Sequence, residues 1–284
     1  MEEARASHTA LRVAMRRAAH QLADEPKVLD DPIALKILGP RAIQRLEGGE
    51  GMGHDRLSRG LRAFMAARSR FAEDELARAV GRGVEQYVVL GAGLDTFAYR
   101  NPHPPNSLRV FEVDYPATQE WKRRQLEATG IEIPASLTFA PVDFERQTLA
   151  RGLGDAGFDR EKPSFFSWLG VSMYLSDEAI GATLRFAGSL PRGGGIVFDY
   201  MVPRESLGFV ERMALETLAK RVEAAGEPFR TSFEPKALAE QLKQSGFSSV
   251  EDMGSDEINA RYFANRADGL RVMGNVGRLA GATR

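Results

Sequence analysis

The 284-residue chain has 38 basic and 39 acidic side chains and a formal net charge of −1, so neither a nucleic-acid footprint nor a membrane footprint is expected. It contains no cysteine, which excludes disulfides, thiolate nucleophiles and cysteine-held metals. With 43% hydrophobic residues, no 18-residue apolar run and no apolar leader at its start, it reads as a cytoplasmic chain forming one large α/β domain, or such a domain with a helical cover.

Residues 1–85 read as helical. Leu11, Met15, Ala18 and Leu22 recur at helical spacing between arginines, and Arg17 reads as a solvated helix residue or, as the second choice, a cation for a ligand carboxylate. Asp31-Pro32 opens a short helix that Gly39-Pro40 stops. The glycine-rich run 47–53 is expected to be a mobile loop, with His54 as a solvated neighbour. In the helix expected over 55–80, Leu57, Leu61, Phe64 and Phe71 form an apolar stripe whose missing position is Arg68. A guanidinium on a buried face needs a partner. Two readings stand: an ion pair with Asp95 or Glu112, or a fork for a ligand carboxylate.

The chain is organised around 86–100, QYVVLGAGLDTFAYR. The apolar run Tyr87, Val88, Val89, Leu90 predicts a strand buried on both faces. It enters Gly91, Ala92 and Gly93, where the glycines allow a tight turn and close approach of a ligand. A helix is predicted over 94–99, and a second strand over 108–113 ends in Glu112 and Asp114, either of which suits ribose hydroxyls. A dinucleotide fingerprint requires glycine at 96, but the chain has Thr96 beside Asp95. A carboxylate there repels a pyrophosphate and suits a cationic nucleoside ligand without phosphate, which favours S-adenosylmethionine (SAM) over NAD.

Beyond a proline-rich loop containing an exposed His103, a helix is expected over 117–129 with Lys122, Arg123 and Arg124 on a solvated face. The third strand, 137–142, is closed by Asp143 and Phe144. These read either as a hydrogen-bond acceptor for the adenine amino group and a cover for the ring, or as a turn acid and a core phenylalanine. The fourth strand, 163–171, brings Trp168 and, after it, Tyr174 to the acceptor end as expected wall residues, a pattern that buried core aromatics would share. Ser176 caps another helix, 193–201 is the fifth strand, and 203–232 reads as a helical insertion that shapes a substrate cavity. Residues 246–253 and 261–274 are expected to form two final strands.

Four segments, VVLGAGLDTFAYR, FEVDYPATQEWKRRQL, APVDFE and SWLGVSMYLSDE, resemble the leucine carboxyl methyltransferase family, most closely its bacterial small-molecule branch; the resemblance runs from about Thr9 to Arg271. It implies a class I methyltransferase fold: α/β, Rossmann-like, with a mostly parallel seven-stranded sheet, an N-terminal helical cap over 1–80 and a SAM-binding domain over 81–284. It implies SAM as cofactor and gives Arg68 the SAM carboxylate. With the residue readings above, the expected cofactor site is Arg68, Gly91, Ala92, Gly93, Asp95, Glu112, Asp114, Asp143 and Phe144. The chain departs from the family at Leu169, where many members carry glutamate.

The expected reaction is methyl transfer to a carboxylate of a small molecule. A carboxylate is ionised at neutral pH and needs no base, and all four histidines precede Asn106, away from the later strand ends. No catalytic residue or metal ligand is assigned, and the oligomeric state is left open. A hydroxyl acceptor, an NAD-dependent oxidoreductase and a SAM-binding domain without activity are the alternatives.

Overall fold

In the computed structural model, residues 8–49, 53, 55–143, 147–224 and 226–284 are described. Five short strands run parallel: β1 (Gln86–Leu90), β2 (Arg109–Asp114), β3 (Leu137–Pro141), β4 (Ser164–Trp168) and β5 (Gly195–Met201). Two more, β6 (Ser249–Met253) and β7 (Gly277–Thr283), complete a seven-stranded sheet of order β3-β2-β1-β4-β5-β7-β6, with β7 antiparallel to both its neighbours. The sheet is the mostly parallel, doubly wound one that the resemblance implied.

The apolar run of β1 explains why it sits at the centre. Tyr87 and Val89 face one core with Phe71 and Leu76, while Val88 and Leu90 face a second core with Phe111, Phe166 and Leu184. A strand covered on both sides must be apolar at every position. Chain order reverses between β1 and β4, so the carboxyl ends of these strands open a crevice at the switch point.

The first core is covered by α1 (His8–Ala23) and α4 (Arg56–Gly81), with the short α2 (Ile33–Lys36) and α3 (Pro40–Glu47) between them in sequence. The side chain of Asp55 caps α4 by accepting from the Ser58 N–H at 3.0 Å. His20 of α1 is fully buried; its Nδ1 lies 2.8 Å from Asp24, and its Nε2 accepts from the N–H groups of Val28 and Leu29. Asp24 also takes a two-point bond from Arg62 of α4, at 2.7 and 2.9 Å, and these partners lower its carboxyl to about 2 against the opposing effect of burial. Helices α5 (Pro116–Ala128), α6 (Leu149–Asp155), α7 (Asp177–Ser189), α8 (Phe209–Glu223), α9 (Pro235–Gln244) and α10 (Ser255–Tyr262) complete the described secondary structure with three 3₁₀ turns.

Two sequence expectations are corrected here. The helix predicted over 94–99 is a 3₁₀ turn, Phe97–Arg100, because the Asp95 side chain accepts from the Phe97 N–H at 2.8 Å and starts the turn late. The strand expected over 261–274 is the end of α10 followed by irregular chain. Asn265 and Gly269 both take left-handed backbone angles, which break an extended run. The strand lies further on, in the small-residue segment of β7. Residues 50–52 of the expected loop, and His54, lie outside the described residues.

Candidate active site

The crevice holds a cavity of about 440 Å³. Its floor is the turn after β1. Gly91 and Gly93 have φ of 64° and 46°, in the left-handed region that glycine occupies without strain. A Cβ built at Gly91 would come within 2.3 Å of the Val171 side chain. The turn is stitched to the end of β2: the N–H groups of Gly91 and Ala92 donate to the Val113 carbonyl at 2.8 and 3.1 Å. Asp114 completes the seam, its two carboxylate oxygens accepting from the Gly93 N–H at 2.6 Å and the Tyr115 N–H at 2.7 Å. Burial pushes the Asp114 carboxyl up, and the two N–H groups counter it. Asp114 lines the cavity beside the glycines, with lone pairs left for hydroxyl donors.

Glu112, the other acid proposed for ribose, is not in the cavity lining. It is buried, 2.7 Å from the Lys122 ammonium, and burial pushes its carboxyl up to about 7 despite that cation. Two expectations are therefore corrected. Glu112 and Asp114 share one face of β2, but Glu112 lies two residues inside the strand, under Lys122 of α5, whereas Asp114 is the last residue of the strand and reaches the crevice. Lys122 is not on a solvated face: it is 1% exposed and also donates to the Asp95 carbonyl at 2.8 Å, tying α5 to the turn.

Asp95 lines the cavity while capping the 3₁₀ turn. Thr96, which interrupts the dinucleotide pattern, donates its hydroxyl to the fully buried Asp31 at 2.6 Å. Threonine at this position fastens the turn to the N-terminal segment. Arg17, expected to be solvated, is 5% exposed and lines the cavity; its Nη2 donates to the Leu94 carbonyl at 2.6 Å, and its Nη1 lies 3.8 Å from Asp95. Neither link was legible, because both partners lie more than sixty positions away.

Arg68 lines the cavity from α4. Its ion-pair partner is neither Asp95 nor Glu112 but Asp199 of β5, at 2.6 Å. The second Asp199 oxygen accepts from the Gly170 N–H at 2.5 Å, and its backbone carbonyl accepts from the Ser172 hydroxyl at 2.6 Å. One buried carboxylate thus fixes both the arginine and the loop after β4.

That loop supplies the acceptor end. Leu169, Gly170, Val171, Tyr174 and Leu175 line it. Trp168 does not: it is 2% exposed and packs on Phe198 at a ring-centroid distance of 6.1 Å, because the last residue of β4 points into the second core. The expectation of a Trp168 wall is corrected to a core role. Tyr174 stacks on Phe229 at 5.5 Å, and burial, assisted by Glu227 and Asp199, pushes its phenol up to about 12. Asp143 is half-buried and is not in the lining; Phe144 lies outside the described residues. No imidazole lines the cavity among the described side chains, and no cluster of three metal-ligating side chains exists among the described residues.

A switch-point crevice with a glycine turn for its floor and Asp114 at its edge is the architecture of class I methyltransferases. A DUF574-family protein from Streptomyces avermitilis shares the fold, with a TM-score of 0.57 at 17% identity over 98% of each chain. The sequence model of the leucine carboxyl methyltransferase family matches residues 10–188, and the chain belongs to this family. YktD of Bacillus subtilis, named as an S-adenosyl-L-methionine-dependent methyltransferase, is 33% identical over 97% of both chains. A Mycobacterium ulcerans protein named for the same activity is 35% identical over 60% of this chain and 57% of its own. No helix among the described residues is long and apolar enough to cross a membrane.

Proposed function

We propose that this SAM-dependent methyltransferase acts on a carboxylate of a small molecule. The cavity fits the cofactor: its floor is a turn without side chains at Gly91 and Gly93, and the lining carries groups suited to the cofactor's carboxylate and ribose. Arg68 would take the methionine carboxylate, Asp114 the ribose hydroxyls, and the turn from Gly91 to Gly93 would lie against the nucleoside. When bound, SAM supplies a methyl carbon made electrophilic by its sulfonium, which leaves as a neutral thioether when the acceptor oxygen takes the methyl group.

The observation that carries the reading is the set of ionisable groups facing the cavity. These are Arg17, Arg68 and Arg230 against Asp95, Asp114 and Glu227, with Tyr174 and no described imidazole. Arg17 and Arg68 already have partners in Leu94 and Asp199, whereas Arg230 has none among the described residues, so a carboxylate acceptor is the ligand that gives this lining cation a counter-charge. A carboxylate also needs no proton removed. Tyr174, with its phenol held up to about 12, stays protonated at neutral pH and acts as a donor. Leu169, Val171 and Leu175 exclude water from the reacting oxygen and favour an acceptor with an apolar body.

Glu227 supports a second reading. It is a carboxylate at the acceptor end and is able to serve as base for a hydroxyl acceptor. Methyl-labelled SAM, offered with matched pairs of small acids and alcohols, separates the two. Label in the acids supports the carboxylate reading; label only in the alcohols, or only in a peptide ending in a free leucine carboxylate, overturns it.

A further inference from the structure

We propose that Arg230 is the residue that recognises the acceptor, binding the carboxylate oxygen that does not attack. This inference rests on the carboxylate reading above.

Three arginines line the cavity, and two are already committed: Arg17 to the Leu94 carbonyl and Arg68 to Asp199. Among the described residues, the Arg230 guanidinium makes no hydrogen bond or ion pair, although it stands at the mouth of the site. A planar five-donor cation left open beside a cavity suits two-point recognition of a carboxylate.

Its backbone is not loose. The Arg230 N–H donates to the Met173 carbonyl at 2.8 Å, and the Thr231 hydroxyl donates to the Leu175 carbonyl at 2.5 Å. Phe229, one residue before, stacks on Tyr174 with an interplanar angle of 29°. Residues 229–231 are thereby riveted onto the 3₁₀ turn Ser172–Tyr174, which forms the acceptor wall. The guanidinium is anchored at its base and free at its tip, and it lines the same cavity as the Tyr174 phenol and the apolar Leu169, Val171 and Leu175. The ligand class that matches is a small monocarboxylic acid with a flat or extended apolar body. Methylation turns that acid into a neutral ester, so the attraction to Arg230 disappears with the reaction and the product is released.

The experiment uses the full chain with S-adenosylhomocysteine bound, titrated calorimetrically with benzoate, cinnamate and decanoate and with the neutral amide of each. Binding of at least one acid to the wild type is expected, with about a tenfold or greater loss in Arg230→Gln, partial retention in Arg230→Lys, and no change for the amide. The melting temperature and S-adenosylhomocysteine affinity of Arg230→Gln should stay at wild-type values. Equal acid binding by wild type and Arg230→Gln overturns the proposal, as does binding of none of the acids. Ester formation with a KM indifferent to Arg230 overturns it while leaving carboxylate methylation standing. Arg230-dependent acid binding without ester formation supports Arg230 and defeats the function proposed above.

Discussion

Arg68 and Asp199, 131 positions apart in sequence, meet at 2.6 Å at the cavity, and the same carboxylate holds the Gly170 N–H. The arginine of α4 is therefore aimed by a residue of β5 that also positions the acceptor loop.

Removing the guanidinium should have two consequences. Arg68→Met strands a buried carboxylate, and the apo protein should lose about 3–5 kcal/mol in denaturant melts. If Arg68 also holds the cofactor carboxylate, SAM affinity should fall in the fraction that remains folded, as read by calorimetry at low temperature. Intact affinity with lost stability would reduce Arg68 to a structural partner of Asp199.

Gly91→Ala tests the floor. The new Cβ would meet Val171 at 2.3 Å at a backbone angle that alanine adopts only with strain. Overpacking of this kind costs about 1–3 kcal/mol, so a lower melting temperature and a loss of SAM binding are expected together. Gly130→Ala is the control for φ alone, because it shares a positive φ but meets nothing within 4 Å.

The sheet was legible because its signal is local. Each parallel strand is a short apolar run, and the glycine turn followed by an acid fixes β1 and β2 as the crevice edge. The cavity lining was legible where its residues belong to that pattern, Gly91, Ala92, Gly93, Asp95 and Asp114, and at Tyr174 after β4. Arg68 stood out as a charge in an apolar stripe, but its partner Asp199 sits in the apolar run of β5, and nothing local says that it pairs with α4. Lys122 looked solvated beside Arg123 and Arg124, since three adjacent cations on a helix do not reveal which one points inward. Arg230 carries no sequence signal at all; its position depends on hydrogen bonds to Met173 and Leu175 that form only after folding. The final strand was missed because glycine and alanine in β7 have weak strand preference, and its two antiparallel neighbours define it.

Glu112 gives a pH dependence with a definite sign. Burial raises its carboxyl from 4.5 to about 7 in the folded protein. The folded state therefore holds a proton that the unfolded chain releases, and this contribution to stability is present below about 4.5 and is lost as pH rises toward 7. The stability of wild type relative to Glu112→Gln should decline across that window. A difference that is flat or rises with pH between 5 and 7 in urea melts contradicts the assignment.

The pH profile of the chemical step separates the acceptor types. A carboxylate loses reactivity only as it protonates near pH 4–5, so single-turnover rates should be nearly flat from about pH 6 to 9. His20 should not shape this profile, since both its ring nitrogens are occupied by Asp24 and by backbone N–H groups. His20→Gln is expected to lower stability and leave the shape of the rate curve unchanged. A limb rising through about pH 6.5 that vanishes in His20→Gln would instead make it a base.

The acceptor's chemistry is read most directly from the bond that the enzyme makes. Product formed with methyl-labelled SAM is treated with mild alkali, and volatile label is counted. Carboxylate methylation predicts an ester, cleaved with release of labelled methanol. Label that stays in an alkali-stable product would be an ether, and would contradict the carboxylate reading.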